Sequence, residues 1–168
     1  MRLQITAYSG LRVLRQMAAD EELEAVRDGI AFAVHPCFRR HAEGLDSRLV
    51  YLAHGQFQFN AGGFSGHVCW LERLARLVGI GFLDLFWHSP RAGPFTELLD
   101  FADSDATMGP AVCTKLARDF RDWASSAARH HERSFRQKYA LWRHAYEVAA
   151  IEGCVAFSAQ THPDLQRT

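Results

Sequence analysis

The chain has 168 residues, 48% of them hydrophobic and 23% charged, a balance that lets one domain bury about two-thirds of its unfolded surface without a metal or disulfide to hold it together. The 19 basic and 19 acidic side chains cancel, which excludes the uniformly basic field that draws a protein onto nucleic acid or anionic lipid and leaves only local patches for such binding. No apolar run approaches the roughly 18 residues of a membrane span, and the start Met1–Thr6 lacks the apolar core of a signal peptide, so a cytoplasmic protein with no membrane partner is expected.

Leu3, Ile5 and Ala7 alternate with Arg2, Gln4 and Thr6, the period-two signature of a half-buried strand, closed by Tyr8-Ser9-Gly10. From Leu11 to about Arg27, the apolar positions Leu11, Leu14, Met17, Ala18, Leu23 and Val26 predict one helix or two short ones, divided at Asp20-Glu21-Glu22. Ile30 to Val34 is a short apolar run ended by Pro36, which favours an extended segment. Residues 39–47 read as an exposed loop. Leu49–Leu52 and Gln56–Phe59 then predict a hairpin that turns at Gly55. The glycine-dense stretch Asn60–Gly66 feeds a helix built on Val68, Leu71, Leu74, Ala75 and Val78, with Ser65 as its expected N-cap and Gly79 and Gly81 as its stop.

Phe82, Phe86, Trp87 and Phe95 surround a loop at Ser89–Pro94, a short helix is expected over Pro94–Phe101, and Asp103–Gly109 reads as a second loop. Pro110 opens a helix with the stripe Val112, Leu116, Phe120, Trp123 and Ala127. A further helix carries Phe135, Tyr139, Trp142, Tyr146 and Ala149 and ends at Gly153. Two such stripes on a short connection predict an antiparallel pair. Cys154–Phe157 adds a short closing strand, and the chain from Ser158 is polar. The expected architecture is α+β: a helix-rich single domain over 1–157 with a small N-terminal sheet or hairpin and a C-terminal antiparallel helical pair, then a polar tail over 158–168.

Cys37, Cys69, Cys113 and Cys154 stand far apart with no C-x-x-C pair, as expected of small buried hydrophobes in a reducing compartment. Only Cys37, beside His35, Arg39, Arg40 and His41, has the electropositive company that a reactive thiolate needs. None of the nine histidines forms H-E-x-x-H, and the adjacent His130 and His131, between two predicted helices, cannot chelate as an i, i+4 pair on a helix would.

Three stretches carry chemistry that could bind a ligand. Gly62, Gly63, Ser65 and Gly66 precede a helix, where backbone N–H groups can meet an anion; the stretch lacks both G-x-G-x-x-G and a G-K-S/T ending, so a plain strand-to-helix connection is the competing reading. Asp100, Asp103 and Asp105 gather hard oxygen ligands, but Phe101, Ala106 and Val112 stand where a calcium loop needs an acidic residue, a glycine and a bidentate glutamate. This loop can cap the helix opening at Pro110, or hold a divalent cation for a hydrolase or transferase with a histidine such as His88. No other cofactor is expected.

The third stretch is basic. Of the 19 basic residues only Lys115 and Lys138 are lysine, an arginine excess that GC-rich coding also produces, so position decides its meaning. At 100° per residue Arg133, Arg136 and Arg143 fall within roughly 80° of one another, apart from the aromatic band, and Arg129 extends them if the helix starts early. Residues 115–147 hold eight basic against four acidic side chains, whereas 84–105 hold five acidic against Arg91 alone. The basic face either docks on that acidic segment or meets a partner: a protein, a small anionic ligand, or nucleic acid through a local patch.

Ala61–Gly66 with Trp70, Leu74, Ala75, Leu77 and Gly79, then Phe95–Asp103, Gly109-Pro110 with Cys113, Leu116, Ala117, Asp119 and Phe120, and finally Phe135, Tyr139, Trp142 and Gly153, together resemble a group of small uncharacterised bacterial and phage proteins over roughly residues 59–157. Where those proteins usually carry a glycine in the acidic loop, this chain has Ala106. The group has no known activity and so implies no site residues. Its setting implies a mobile-element accessory or defence-related factor. The leading expectation is a non-enzymatic intracellular binding protein acting through Arg129, Arg133, Arg136 and Arg143, with the Gly62–Gly66 loop as a second element. A divalent-metal enzyme and an immunity or antitoxin protein are the alternatives.

Overall fold

The first strand, β1 (Arg2–Ser9), buries Leu3, Ile5 and Ala7 on one face, as their alternation predicts. The computed structural model describes residues 2–20, 22, 27, 29–81, 93–100 and 106–160, with backbone alone at 36–38. Beyond Gly10, whose φ of 59° is left-handed, the chain forms a strand, β2 (Arg12–Gln16), where the apolar spacing predicts a helix. Two more short strands, β3 (Ile30–Ala31) and β4 (Leu49–Leu52), complete a three-stranded sheet of order β2-β4-β3. The three-residue spacing of Leu11, Leu14 and Met17 suits a helix, but long-range pairing overrides it. Arg12 pairs with Leu52 and Val13 with Tyr51, and the Met17 N–H donates to the Arg48 carbonyl at 2.8 Å. Part of the expected 39–47 loop is a 3-10 helix, Pro36–Ala42.

The predicted hairpin over 49–59 is also corrected. Both strands exist, but β5 (Gly55–Gly63) joins a different sheet from β4. The chain changes sheet twice at one corner, first at Gly10 and again at His54, whose N–H donates to the Ser9 carbonyl at 2.9 Å. A Cβ on Gly10 would lie 2.9 Å from the His54 Cβ, so a glycine is needed there for space as well as for its backbone angle.

The helix after β5, α1 (Phe64–Leu77), starts one residue before its expected cap: Gly63 is the N-cap, and Ser65 lies inside the first turn without capping it. A short helix, α2 (Thr96–Asp100), matches expectation. The supposed loop before Pro110 contains β6 (Ala106–Met108), three buried residues too few to show a period. The helix expected from Pro110 is divided at Trp123 into α3 (Pro110–Asp122) and α4 (Ala124–Ala128). Next come α5 (Arg133–Ala149) and β7 (Cys154–Gln160), the latter three residues longer than expected because Ser158 pairs with Gln4 and Gln160 with Arg2. The expected loop at 89–94 lies outside the described residues up to 92, as do the aromatics at 82, 86 and 87 and the tail from 161.

The larger sheet is antiparallel throughout, in the order β5-β1-β7-β6. Its inner face, with Ile5, Phe59 and Phe157, packs beneath α1, α3 and α5, which contribute Trp70, Leu74, Phe120, Phe135, Trp142 and Tyr146. Each of these large side chains, removed from water, contributes about 1.5–3 kcal/mol. Phe120 lies against both Tyr139 and Tyr146, and α3 and α5 form the predicted antiparallel pair. The outer face presents Gln4, Gln56, Gln58, Asn60 and Ser158 along part of its length, while Tyr8, Cys154 and Ala156 on the same face join a second core cluster with Phe32 and Tyr51. Gly153 lets β7 enter the sheet, since a Cβ there would run into the Tyr8 carbonyl. The result is one α+β fold. Among the described residues no helix is long and apolar enough to cross a membrane.

Candidate functional site

α5 has two chemically different sides. Phe135, Tyr139, Trp142 and Tyr146 point into the core, while Arg136, Ala140 and Arg143 face α4. Between the two helices lies an open groove of about 350 Å³. Ala124, Ala127, Ala128 and Ala140 form its apolar floor, and Arg136 and Arg143 stand two helical turns apart, about 10 Å along the axis. The floor exists because α4 is entirely alanine and serine, whose short side chains cannot fill the space between the helices. The Tyr139 ring also lines the groove, with its hydroxyl turned inward to donate to the Phe120 carbonyl at 2.7 Å. Burial pushes the pKa of that hydroxyl up.

Each groove arginine has an internal tie and donors to spare. Arg136 donates through Nη1 to the carbonyls of His130 and His131, closing the turn between α4 and α5. Arg143 donates through Nε to Glu147 at 2.7 Å, a half-exposed pair of the kind that contributes only about 0.3–0.5 kcal/mol. A guanidinium carries five N–H groups, so both keep several for a ligand. Arg133 and Arg129 are exposed; Arg133 lies on α5, whereas Arg129 is the C-cap of α4 and does not extend the α5 band as a helical residue.

The glycine loop does not share this face. Lys138 reaches the Ala61 carbonyl at 2.5 Å and lies 5.5 Å from the Trp70 ring centre. Two residues at 100° each put Lys138 about 160° around α5 from Arg136, so Gly62, Gly63, Ser65 and Gly66 sit on the other side of the helix from the groove. Gly62, at φ 92°, donates its N–H to Asn60 Oδ1 at 2.7 Å, and Gly63, Ser65 and Gly66 are exposed. The glycine loop, expected as a second element of the site, therefore lies apart from the groove arginines. Burial, then the nearby Arg73, lowers the Lys138 pKa to about 8.

Beneath Lys138 is a polar group inside the core that periodicity could not reveal. His67 is fully buried, with its ring stacked 5.6 Å from Trp142 and 6.4 Å from Trp70. Among the described residues neither His67 nitrogen has a hydrogen-bond partner, nor do the indole nitrogens of Trp70 and Trp142. Burial first, and Lys138 second, lower the His67 pKa to about 3, so the imidazole is neutral. A histidine three residues before a tryptophan on an apolar face was the only sequence signal.

Of the proposed cation ligands, Asp100 is exposed at the end of α2, while Asp103, Asp105 and His88 lie outside the described residues. Among the described residues no three His, Cys, Asp or Glu side chains gather as metal ligands. Nearby acidic groups are used internally. Lys115 Nζ lies 2.6 Å from Glu97 and 3.0 Å from Asp119, and Asp119 accepts the Phe95 N–H at 2.8 Å, holding Phe95 at φ 59°. The N-cap of α3 is Gly109, without a side-chain cap, so the described carboxylates do not cap it. Cys113 and Cys154 are buried as expected, but Cys69 is exposed. Compared with protein-family models, curated proteins and solved structures, the chain matches none.

Proposed function

We propose that the protein is an intracellular binding protein that docks an acidic segment of a partner protein in the groove between α4 and α5. One observation carries this reading: two arginines with unspent donors stand two turns apart on an alanine floor, with Arg129 and Arg133 exposed beyond them. Carboxylates at matching spacing would meet the two forks, and small apolar side chains between them would cover the floor. A nucleic acid fits less well. The aromatic rings that would stack on bases, Phe135, Trp142 and Tyr146, are buried, and the chain has no net charge to offer a phosphate backbone. A cytoplasmic accessory role in a mobile-element or defence setting accords with the resemblance in the sequence.

The test uses a fluorescein-labelled peptide of alternating glutamate and alanine, with an oligothymidylate of equal charge as competitor. Anisotropy is expected to show salt-sensitive peptide binding that Arg133→Glu/Arg143→Glu abolishes without moving the melting temperature by more than a degree or two. This pair spares Arg136, which closes a turn. Binding that survives the double substitution, or a preference for the oligonucleotide, overturns the reading.

A further inference from the structure

Sheet edges are open to pairing unless something blocks them, and proteins block them with short strands, charge, proline or a covering element. Among the described residues, three of the four sheet edges are protected in this way. β6 has three residues and β3 two, and β2 carries Arg12 and Arg15 within five residues. β5, the remaining edge, has nine residues, Gly-Gln-Phe-Gln-Phe-Asn-Ala-Gly-Gly, without a charge or a proline. Among the described residues it has a neighbouring strand on one side only, β1. Lys138 occupies the carbonyl of Ala61 near its far end, leaving Gln56–Asn60 as the open stretch.

The order of residues in that stretch says what fits it. Gln56, Phe57, Gln58, Phe59 and Asn60 read nearly the same in both directions, which is what an antiparallel strand paired with its own copy requires. We propose that the protein pairs with a second copy of itself through β5, antiparallel across a two-fold axis at Gln58. In this register Phe57 faces the partner's Phe59 on the helix-covered side, and Gln56 faces the partner's Asn60 on the outer side. Gln58 faces its own copy. A slip of one residue sets Phe against Gln and turns apolar rings to water, so the pleat rejects it. Slips of two residues in either direction keep the faces but lose one of the two Phe–Phe pairs.

Phe57 gives the pairing an apolar component. It is only half-buried within one chain, 5.9 Å from Phe59 and 4.5 Å from His144 between ring centres, and the second copy would cover its open side. Neutrality matters equally, since no like charges oppose one another at any position of the register. The product is a continuous eight-stranded sheet with helices along one face. This surface is separate from the α4–α5 groove, so either proposal can fail alone.

Sedimentation velocity of the full chain is expected to show a concentration-dependent species of twice the mass of one chain. Gln58→Lys sets two ammonium groups against each other at the axis and is expected to give a monomer with the parent's circular-dichroism spectrum and a melting temperature that no longer depends on protein concentration. In a Cys69→Ser background, Gln58→Cys is expected to cross-link to itself on mild oxidation. Gln56→Cys and Asn60→Cys are expected to cross-link when mixed with each other and not alone, because only those pairs have Cα atoms within disulfide reach. A monomer at every concentration overturns the proposal. So does a dimer that persists in Gln58→Lys, or one in which the Gln58→Cys chains do not cross-link to each other.

Discussion

Replacing His67 by Phe removes two buried, unpartnered nitrogens and keeps a flat ring between Trp70 and Trp142. At neutral pH the change is expected to stabilise the fold by about 1–3 kcal/mol, the cost of leaving buried polar atoms unsatisfied. The pH dependence is the sharper reading. The His67 pKa is about 3 in the folded chain against an ordinary value of 6.5, so between these limits the unfolded state binds a proton that the folded state refuses. Stability from this group is therefore fully present above pH 6.5 and is lost as pH falls, by about 1.4 kcal/mol per unit, until it levels near the folded value. Between about pH 8 and pH 5 the wild type should lose about 2 kcal/mol that His67→Phe retains. His41 and His130 also have lowered pKa values, chiefly from burial, but they are common to both proteins and cancel in the difference. Urea denaturation followed by tryptophan fluorescence at the two pH values measures this difference. An equal loss in both proteins would refute the assignment of the proton to His67, and destabilisation of the variant at the higher pH would refute the claim that its nitrogens lack partners.

Asp119→Ala is expected to lower stability by about 2–4 kcal/mol, because it strips the Phe95 N–H of its acceptor and Lys115 of a counter-charge, whereas Asp119→Asn keeps an acceptor and should cost about half as much; urea midpoints rank the two. Gly153→Ala drives a methyl group into the Tyr8 backbone, which has no side chain to swing aside, and should prevent folding or cost more than about 3 kcal/mol, read as lost soluble yield or a collapsed thermal transition by circular dichroism.

The elements legible in the sequence are those whose burial is one-sided and long. α3 and α5 bury a single stripe for three turns or more, and β1 alternates apolar Leu3, Ile5 and Ala7 with polar Arg2, Gln4 and Thr6 even though Thr6 is also buried, so each repeats its period enough times to be read. β2 has no such pattern, since all five of its residues are exposed and its strand geometry comes from pairing with β4 rather than from its own side chains. The false hairpin has a similar cause. Gly55 supplies a turn cue, but that cue cannot distinguish strands that pair from strands that part at a corner between two sheets. β6 is held by Val155 and Phe157 across the ladder, partners far away in sequence.

The arginine excess takes a definite form once each residue has a position. Arg48 closes a turn with Asp46, Arg73 and Arg76 pair with Glu132 and Glu72, and Arg136 ties two carbonyls, so several arginines hold structure in ways that lysine could match only in part. What composition could not disclose is that α4, the least distinctive helix in the sequence, converts the α5 band into a groove: its alanines leave the space that the arginines border. The lysines invert the expectation that charge lies outside. Lys138 is half-buried over an indole and Lys115 is enclosed by two carboxylates, so neither of the two lysines counted in the basic stretch 115–147 adds to its arginine face. The charge available to a partner there is therefore arginine alone, a fork rather than a point, and it selects for carboxylates presented at fixed spacing over a diffuse anionic surface.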